Sequence, residues 1–79
     1  MKFTELKFTH NGCCGTHTWA EVVHKNGLRT EVYDCDEDNA TGPYTVATWM
    51  GRTLYMASQE LPDQATVEAR LAEDASKVF

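Results

Sequence analysis

Trp19-Ala20-Glu21-Val22-Val23-His24-Lys25-Asn26-Gly27-Leu28-Arg29-Thr30-Glu31-Val32-Tyr33 is the stretch that decides the fold. Asn-Gly between two runs rich in β-branched and aromatic residues is the strongest short-range signal for a β-hairpin. Thr16 to Lys25 reads as one strand and Leu28 to Cys35 as its return. A two-residue turn at Asn26-Gly27 predicts that Val23 faces Thr30, Glu21 faces Val32 and Trp19 faces Asp34. On the opposite side Val22 opposes Glu31 and Ala20 opposes Tyr33. This register loads Trp19, Val23, Leu28 and Val32 on one face and Ala20, Val22, Tyr33 and Cys35 on the other, so neither face is cleanly polar.

Outward from the hairpin, Phe3 to Thr9 alternates, with Thr4, Leu6 and Phe8 on one side and Glu5, Lys7 and Thr9 on the other, a strand pattern. Asn11 to Gly15 is a glycine-bracketed turn. Asp36 to Pro43 is a loop broken by Asn39, Gly42 and Pro43. Tyr44 to Met50 is a further strand, and Gly51-Arg52 suits a type II′ turn into a short strand at Leu54 to Ala57. Pro62-Asp63 opens a helix, where proline is tolerated and an acid complements the N-terminal dipole. Val67, Leu71, Ala75 and Val78 recur at helical spacing, with Glu68, Arg70, Glu73 and Lys77 outside. The fold class is α+β: an antiparallel sheet of four to five strands with one C-terminal helix, residues 1–79 forming a single domain.

Widths set the next expectation. A helix is about 10–12 Å across with its side chains, whereas five strands at about 4.8 Å spacing span about 20 Å. One helix leaves apolar surface uncovered on the hairpin as registered above. Two arrangements satisfy it: a homodimer interface, or loops and the N-terminal strand folded over it.

The charge is as telling as the hairpin. Asp34-Cys35-Asp36-Glu37-Asp38 places four carboxylates in five residues, with Glu31 just upstream and no basic residue until Arg52. Such a cluster destabilises the compact state by self-repulsion, so its use lies outside the fold. The chain carries twelve Asp and Glu against seven Lys and Arg, a formal charge of −5. That disfavours direct nucleic-acid or anionic-membrane binding and favours basic partners. If the strand continues through Asp34 and Asp36, their side chains point the same way about 6.7 Å apart, and Asp38 extends the row like a line of phosphates. The helix adds Asp63, Glu68, Glu73 and Asp74.

Other chemistries fit less well. His10, Cys13, Cys14 and His17 supply zinc-type donors, but adjacent cysteines splay apart, and neither Cys-x-x-Cys nor His-x3-His is present. Asp34-x-Asp36-x-Asp38 starts like an EF-hand loop, but Asn39 stands where glycine is needed and Thr45 where the bidentate glutamate belongs. Cys35 lies among carboxylates that disfavour its thiolate. No nucleophile elbow or phosphate loop occurs. No metal, no cofactor and no enzyme activity are expected. Met1 to Lys7 has no apolar leader pattern, no apolar run reaches membrane-spanning length, and three cysteines make an odd number for a disulfide framework; a reducing cytoplasm is expected.

A very small, acidic, non-enzymatic sheet-plus-helix protein with the run Asp34 to Asp38 resembles the anti-CRISPR proteins of phages and mobile elements. The resemblance rests on size, charge and architecture, with no shared motif. It implies an inhibitor in the cytoplasm of a bacterial host that docks on a basic nucleic-acid-binding protein, a subunit of a CRISPR effector of type I. Charge and position in this sequence nominate Glu31, Asp34, Asp36, Glu37 and Asp38 as partner-binding residues, and Trp19, Tyr33 and the apolar surface of the hairpin as the other place to examine. The alternative is a dimerising structural or regulatory module with an incidental acidic loop.

Overall fold

The structure, a computed structural model, describes residues 2–11, 18–34 and 43–78, with the backbone path alone at positions 10, 11, 18 and 34. Five antiparallel strands lie side by side in chain order: β1 His10–Asn11, β2 Thr18–Val23, β3 Leu28–Asp34, β4 Tyr44–Met50 and β5 Thr53–Leu61. A helix, α1 Gln64–Ala75, packs on one face. The α+β architecture expected from the sequence is therefore the one observed.

The hairpin register differs from the expectation by one residue. Trp19 pairs with Tyr33, Ala20 with Val32, Glu21 with Glu31, Val22 with Thr30 and Val23 with Arg29. The loop is three residues, Lys25-Asn26-Gly27, closed by Gly27 N–H to the His24 carbonyl (3.1 Å) and His24 N–H to the Leu28 carbonyl (2.8 Å). Gly27 takes φ +96°, the left-handed position of a bulged three-residue hairpin loop. Because side chains alternate along a strand, a one-residue slip exchanges faces. Ala20, Leu28, Thr30 and Val32, all buried, now share the helix side, and Trp19, Glu21, Val23, Arg29, Glu31 and Tyr33 share the other. The two-residue turn would have set Glu21 and Trp19 on the face of Leu28 and Val32. Core burial selects the longer loop.

The N-terminal segment also departs from the alternating pattern. Phe3–Glu5 forms a 3-10 turn, with Leu6 N–H bonded to the Phe3 carbonyl at 3.0 Å. Three residues per turn bring Phe3 and Leu6 to one side, and both are buried; a strand would have separated them. The Phe3 ring meets Tyr44 at 5.0 Å and Phe8 at 5.9 Å, and its N–H donates to the Glu68 carboxylate. Only His10–Asn11 reach the sheet. This segment covers, beside α1, the sheet face the helix is too narrow to cover alone. The resulting core is Phe3, Leu6, Ala20, Val32, Tyr44, Val46, Leu61, Val67 and Leu71.

At the other edge, Gly51 with φ +62° opens a two-residue turn between Met50 and Thr53. β5 runs on to Leu61, well past the expected end at Ala57, with register irregularities opposite Val46 to Trp49. Asp63 caps α1 by accepting from Thr66 N–H (2.8 Å) and the Thr66 hydroxyl (2.6 Å), bonds that hold its carboxyl below the usual range. The buried stripe of α1 is Val67, Arg70, Leu71 and Asp74; Ala75 is exposed and Val78 is 92% exposed. Arg70, expected from the sequence to lie outside, and Asp74, counted there with the helix's acidic charge, are both buried against the sheet, where Thr30, Thr48 and Gln59 bond them.

Candidate functional site

Two polar constellations stand out, one on each side of the sheet. Under α1, Asp74 is fully buried. Its Oδ2 accepts from the hydroxyls of Thr30 and Thr48, each at 2.7 Å, and its Oδ1 lies 3.3 Å from Arg70 Nε. Arg70 also donates to Thr48 Oγ1 (2.8 Å) and Gln59 Oε1 (3.1 Å). Each threonine hydroxyl has one hydrogen. Since Thr30 gives its hydrogen to Asp74, its oxygen accepts from His24 Nε2 at 2.8 Å, which assigns the Nε2–H tautomer. Burial lowers the His24 pKa below its ordinary value, opposed by the Asp74 charge, which raises it. Asn26 in the hairpin loop donates to the carbonyls of Asp74 (2.8 Å) and Lys77 (3.0 Å) and accepts Leu28 N–H (3.0 Å). Thr30 and Thr48 have no solvent access, so this network offers a substrate nothing. It fastens the helix to the sheet.

The opposite face is built in cross-strand rungs. Trp19 and Tyr33 pair, their ring centroids 5.5 Å apart. Next to them Glu21 lies directly across from Glu31, which in turn faces Ala47 of β4. The following rung is Val23, Arg29 and Trp49. Arg29 stands over the Trp49 ring, 5.8 Å from its centroid, and its Nε is 3.6 Å from Glu31 Oε2. The Tyr33 hydroxyl donates to Glu31 Oε1 at 2.6 Å. Burial, reinforced by that bond and the Glu31 charge, pushes the Tyr33 phenol up to about 12. Arg29 Nε and Trp49 Nε1 are buried without a hydrogen-bond partner among the described residues.

Of the nominated partner-binding residues, Glu31 is therefore engaged within the chain, by Arg29 and Tyr33, its side chain 12% exposed. Asp34 is the last residue of β3, opposite Tyr44 and an odd number of steps beyond Glu31. Asp36, Glu37 and Asp38 lie outside the described residues, as do the cysteine-containing turn and Cys35. On the helix, Asp63, Glu68 and Glu73 are exposed or half-buried, but Asp74 is not surface. Sequence reasoning passed over Glu21, Arg29 and Trp49. The signal that finds them is the register, since only the three-residue loop sets Glu21 against Glu31.

Among the described residues no group of His, Cys, Asp and Glu could hold a metal ion, and no helix is long and apolar enough to cross a membrane. An open groove of about 470 Å³ runs along Phe3, Leu6, Lys7, Phe8 and Gln64. Its lining holds one titratable side chain, Lys7, and so no acid–base pair. No family model, curated protein or solved structure matches the chain.

Proposed function

We propose that this chain is a non-enzymatic, cofactor-free inhibitor that docks on the basic, nucleic-acid-binding surface of a protein, with a type I CRISPR effector subunit as its target in the bacterial cytoplasm. The observation that carries this reading is where the acidic run begins. Asp34 ends β3, the central strand of the five, and is held in register opposite the fully buried Tyr44. The run thus starts from the end of the central strand, paired there with β4. The basic residues that could neutralise it are partly spent elsewhere: Arg29 on Glu31, Arg70 on Asp74 and Lys77 on Glu73. Those pairs take equal numbers from twelve acids and seven bases, so the remainder is more one-sided still. The mechanism is competition, because a partner's arginines cannot hold carboxylates and phosphates at once.

Asp36→Lys with Asp38→Lys tests it. The variant should fold as wild type and lose most inhibition of a purified type I effector on its target DNA. Wild-type binding should weaken steeply between low and physiological salt, as exposed charges are screened beyond about 8–10 Å. Full inhibition by the variant would return the run to ordinary solvated surface.

A dimerising module is the second reading, favoured by β5. It is an edge strand of nine residues with Glu60 its sole charge and no Lys or Pro, carrying Leu54 (43% exposed) and Tyr55 (41%). Long, weakly charged edges invite pairing with another strand. Light scattering at micromolar concentration with reductant present separates a dimer from a monomer.

A further inference from the structure

The open sheet face contains the same arrangement twice, once with a cation and once without. In the first, Arg29 lies over the Trp49 ring and beside the Glu31 carboxylate. In the second, Glu21 stands next to the tilted ring pair of Trp19 and Tyr33, and no ion pair with an arginine forms there among the described residues. Glu21 is exposed and makes no hydrogen bond or ion pair among the described residues. It sits directly across the ladder from Glu31. Like charges directly opposite on one face destabilise a sheet. Here one of the two is answered by a described residue of the chain, and the other has no counter-charge among the described residues.

We propose that Glu21, Trp19 and Tyr33 form a receptor for an arginine side chain of a protein partner. The inference rests on the docking reading above and names a second contact for it. Charge complementarity selects the occupant. A carboxylate with no counter-ion among the described residues asks for a cation, and the adjacent aromatic side chains favour a planar guanidinium, which stacks while it donates in a fork, over the compact ammonium of lysine. The neighbouring Arg29 shows the geometry that this face accepts. The partner's arginine would relieve the Glu21–Glu31 repulsion on binding, so the ladder is eased in the complex relative to the free protein. A nucleic acid is excluded as occupant by the same two carboxylates.

The test uses the full chain with hexa-arginine and hexa-lysine peptides as probes, read by tryptophan fluorescence and by NMR shifts of the indole N–H groups. Wild type should bind hexa-arginine about fivefold more tightly than hexa-lysine, the size expected of one exposed ion pair with a cation–aromatic contact. Glu21→Gln, which leaves the fold and the rings in place, should abolish that preference. Asp36→Asn with Asp38→Asn should weaken both peptides and keep it. A Glu21→Gln variant that still prefers arginine overturns the proposal. Loss of binding in the Asp36/Asp38 variant alone overturns it too while leaving the acidic-run reading intact. Loss in Glu21→Gln alone overturns the acidic-run reading and sustains this one. Shifts of the same indole signals that grow with protein concentration in the absence of peptide would show a second copy on this face, and would also overturn it.

Discussion

Replacing Asp74 by alanine should unfold most of this protein at room temperature. The carboxylate is fully buried and receives the Thr30 and Thr48 hydroxyls at 2.7 Å and Arg70 Nε at 3.3 Å. Its removal leaves Arg70, only 5% exposed, as a buried charge held by Thr48 and Gln59 alone. Breaking a buried pair from one side costs about 3–5 kcal/mol, and a core of this size supplies about 3–5 kcal/mol in all. The two are equal, so the variant sits at or past its midpoint without denaturant. Loss is asymmetric. Arg70→Met deletes the cation but leaves Asp74 with two hydroxyl donors, and a carboxylate so bonded is partly compensated. That variant should lose about 1–3 kcal/mol, and the double variant Arg70→Met with Asp74→Leu should recover much of what Asp74→Ala loses, because apolar replacements of buried ion pairs are often near neutral. Urea melts followed by far-UV circular dichroism measure this; at a slope of about 1 kcal/mol per molar for a small domain, each kcal/mol moves the midpoint by about 1 M. An Asp74→Ala protein less than about 1 kcal/mol weaker than wild type would refute the argument that this network fastens α1 to the sheet.

Three further outcomes follow from the same contacts. His24 has a folded pKa below its ordinary 6.5 because burial disfavours its charged form; the unfolded chain therefore binds the proton first as pH falls, and stability should drop below about pH 6.5 in wild type but not by that step in His24→Gln, seen as a difference in urea midpoints at pH 7.5 and 5.5. Asn26→Ala removes two donors from the carbonyls at the end of α1 and the acceptor for Leu28 N–H, which should cost about 1–3 kcal/mol; an unchanged midpoint would deny the loop its part in holding the helix. The Tyr33 phenol, pushed up to about 12 by burial and Glu31, should titrate lower in Glu31→Gln but still above the usual tyrosine range, because burial, the larger cause, remains; absorbance at 295 nm follows it, and since the unfolded phenol ionises first, wild-type stability should decline as pH rises above about 10.

The sequence made the strands of the hairpin, β4 and the helix legible because each carries a period that its own burial enforces. It misread what depends on distant partners. Phe3 to Thr9 alternates convincingly, yet Phe3 turns inward on Tyr44, some forty residues away, and a 3-10 turn is what lets Leu6 follow. Arg70 and Asp74 look like solvent residues by their charge, although Asp74 stands seven residues after Val67 and so on the apolar stripe; Thr30, Thr48 and Gln59 on three different strands are the partners that keep them interior. Val78 fits the apolar stripe by spacing but falls beyond the helix end. Of the nominated site, only Glu31 has a described side chain, and its neighbours Arg29 and Tyr33 were in view on the same strand without a reason to connect them.

The one-residue difference in the hairpin loop carries the functional argument with it. Asn26-Gly27 suits a two-residue turn, and local preference alone would choose it. The third loop residue, Lys25, is selected by two tertiary demands at once. Leu28 and Val32 must share a face with Ala20 under the helix, and Asn26 must reach the carbonyls of Asp74 and Lys77. With the shorter loop both faces of the hairpin would be apolar, and excess apolar surface would be the reason to expect a partner. With the observed loop the apolar residues gather on the covered face, while the open face carries two glutamates opposed across the ladder between aromatic rungs. The reason to expect a partner therefore changes from buried area to charge. An apolar face would recruit a second copy as readily as anything else, whereas a carboxylate without a counter-charge among the described residues, beside a pair of aromatic rings, selects for a cation, and a chain of net charge −5 is not where that cation is most abundant. The same slip that takes Leu28 and Val32 off the face of Trp19 and Glu21 thus points the chemistry of the open face toward a basic surface.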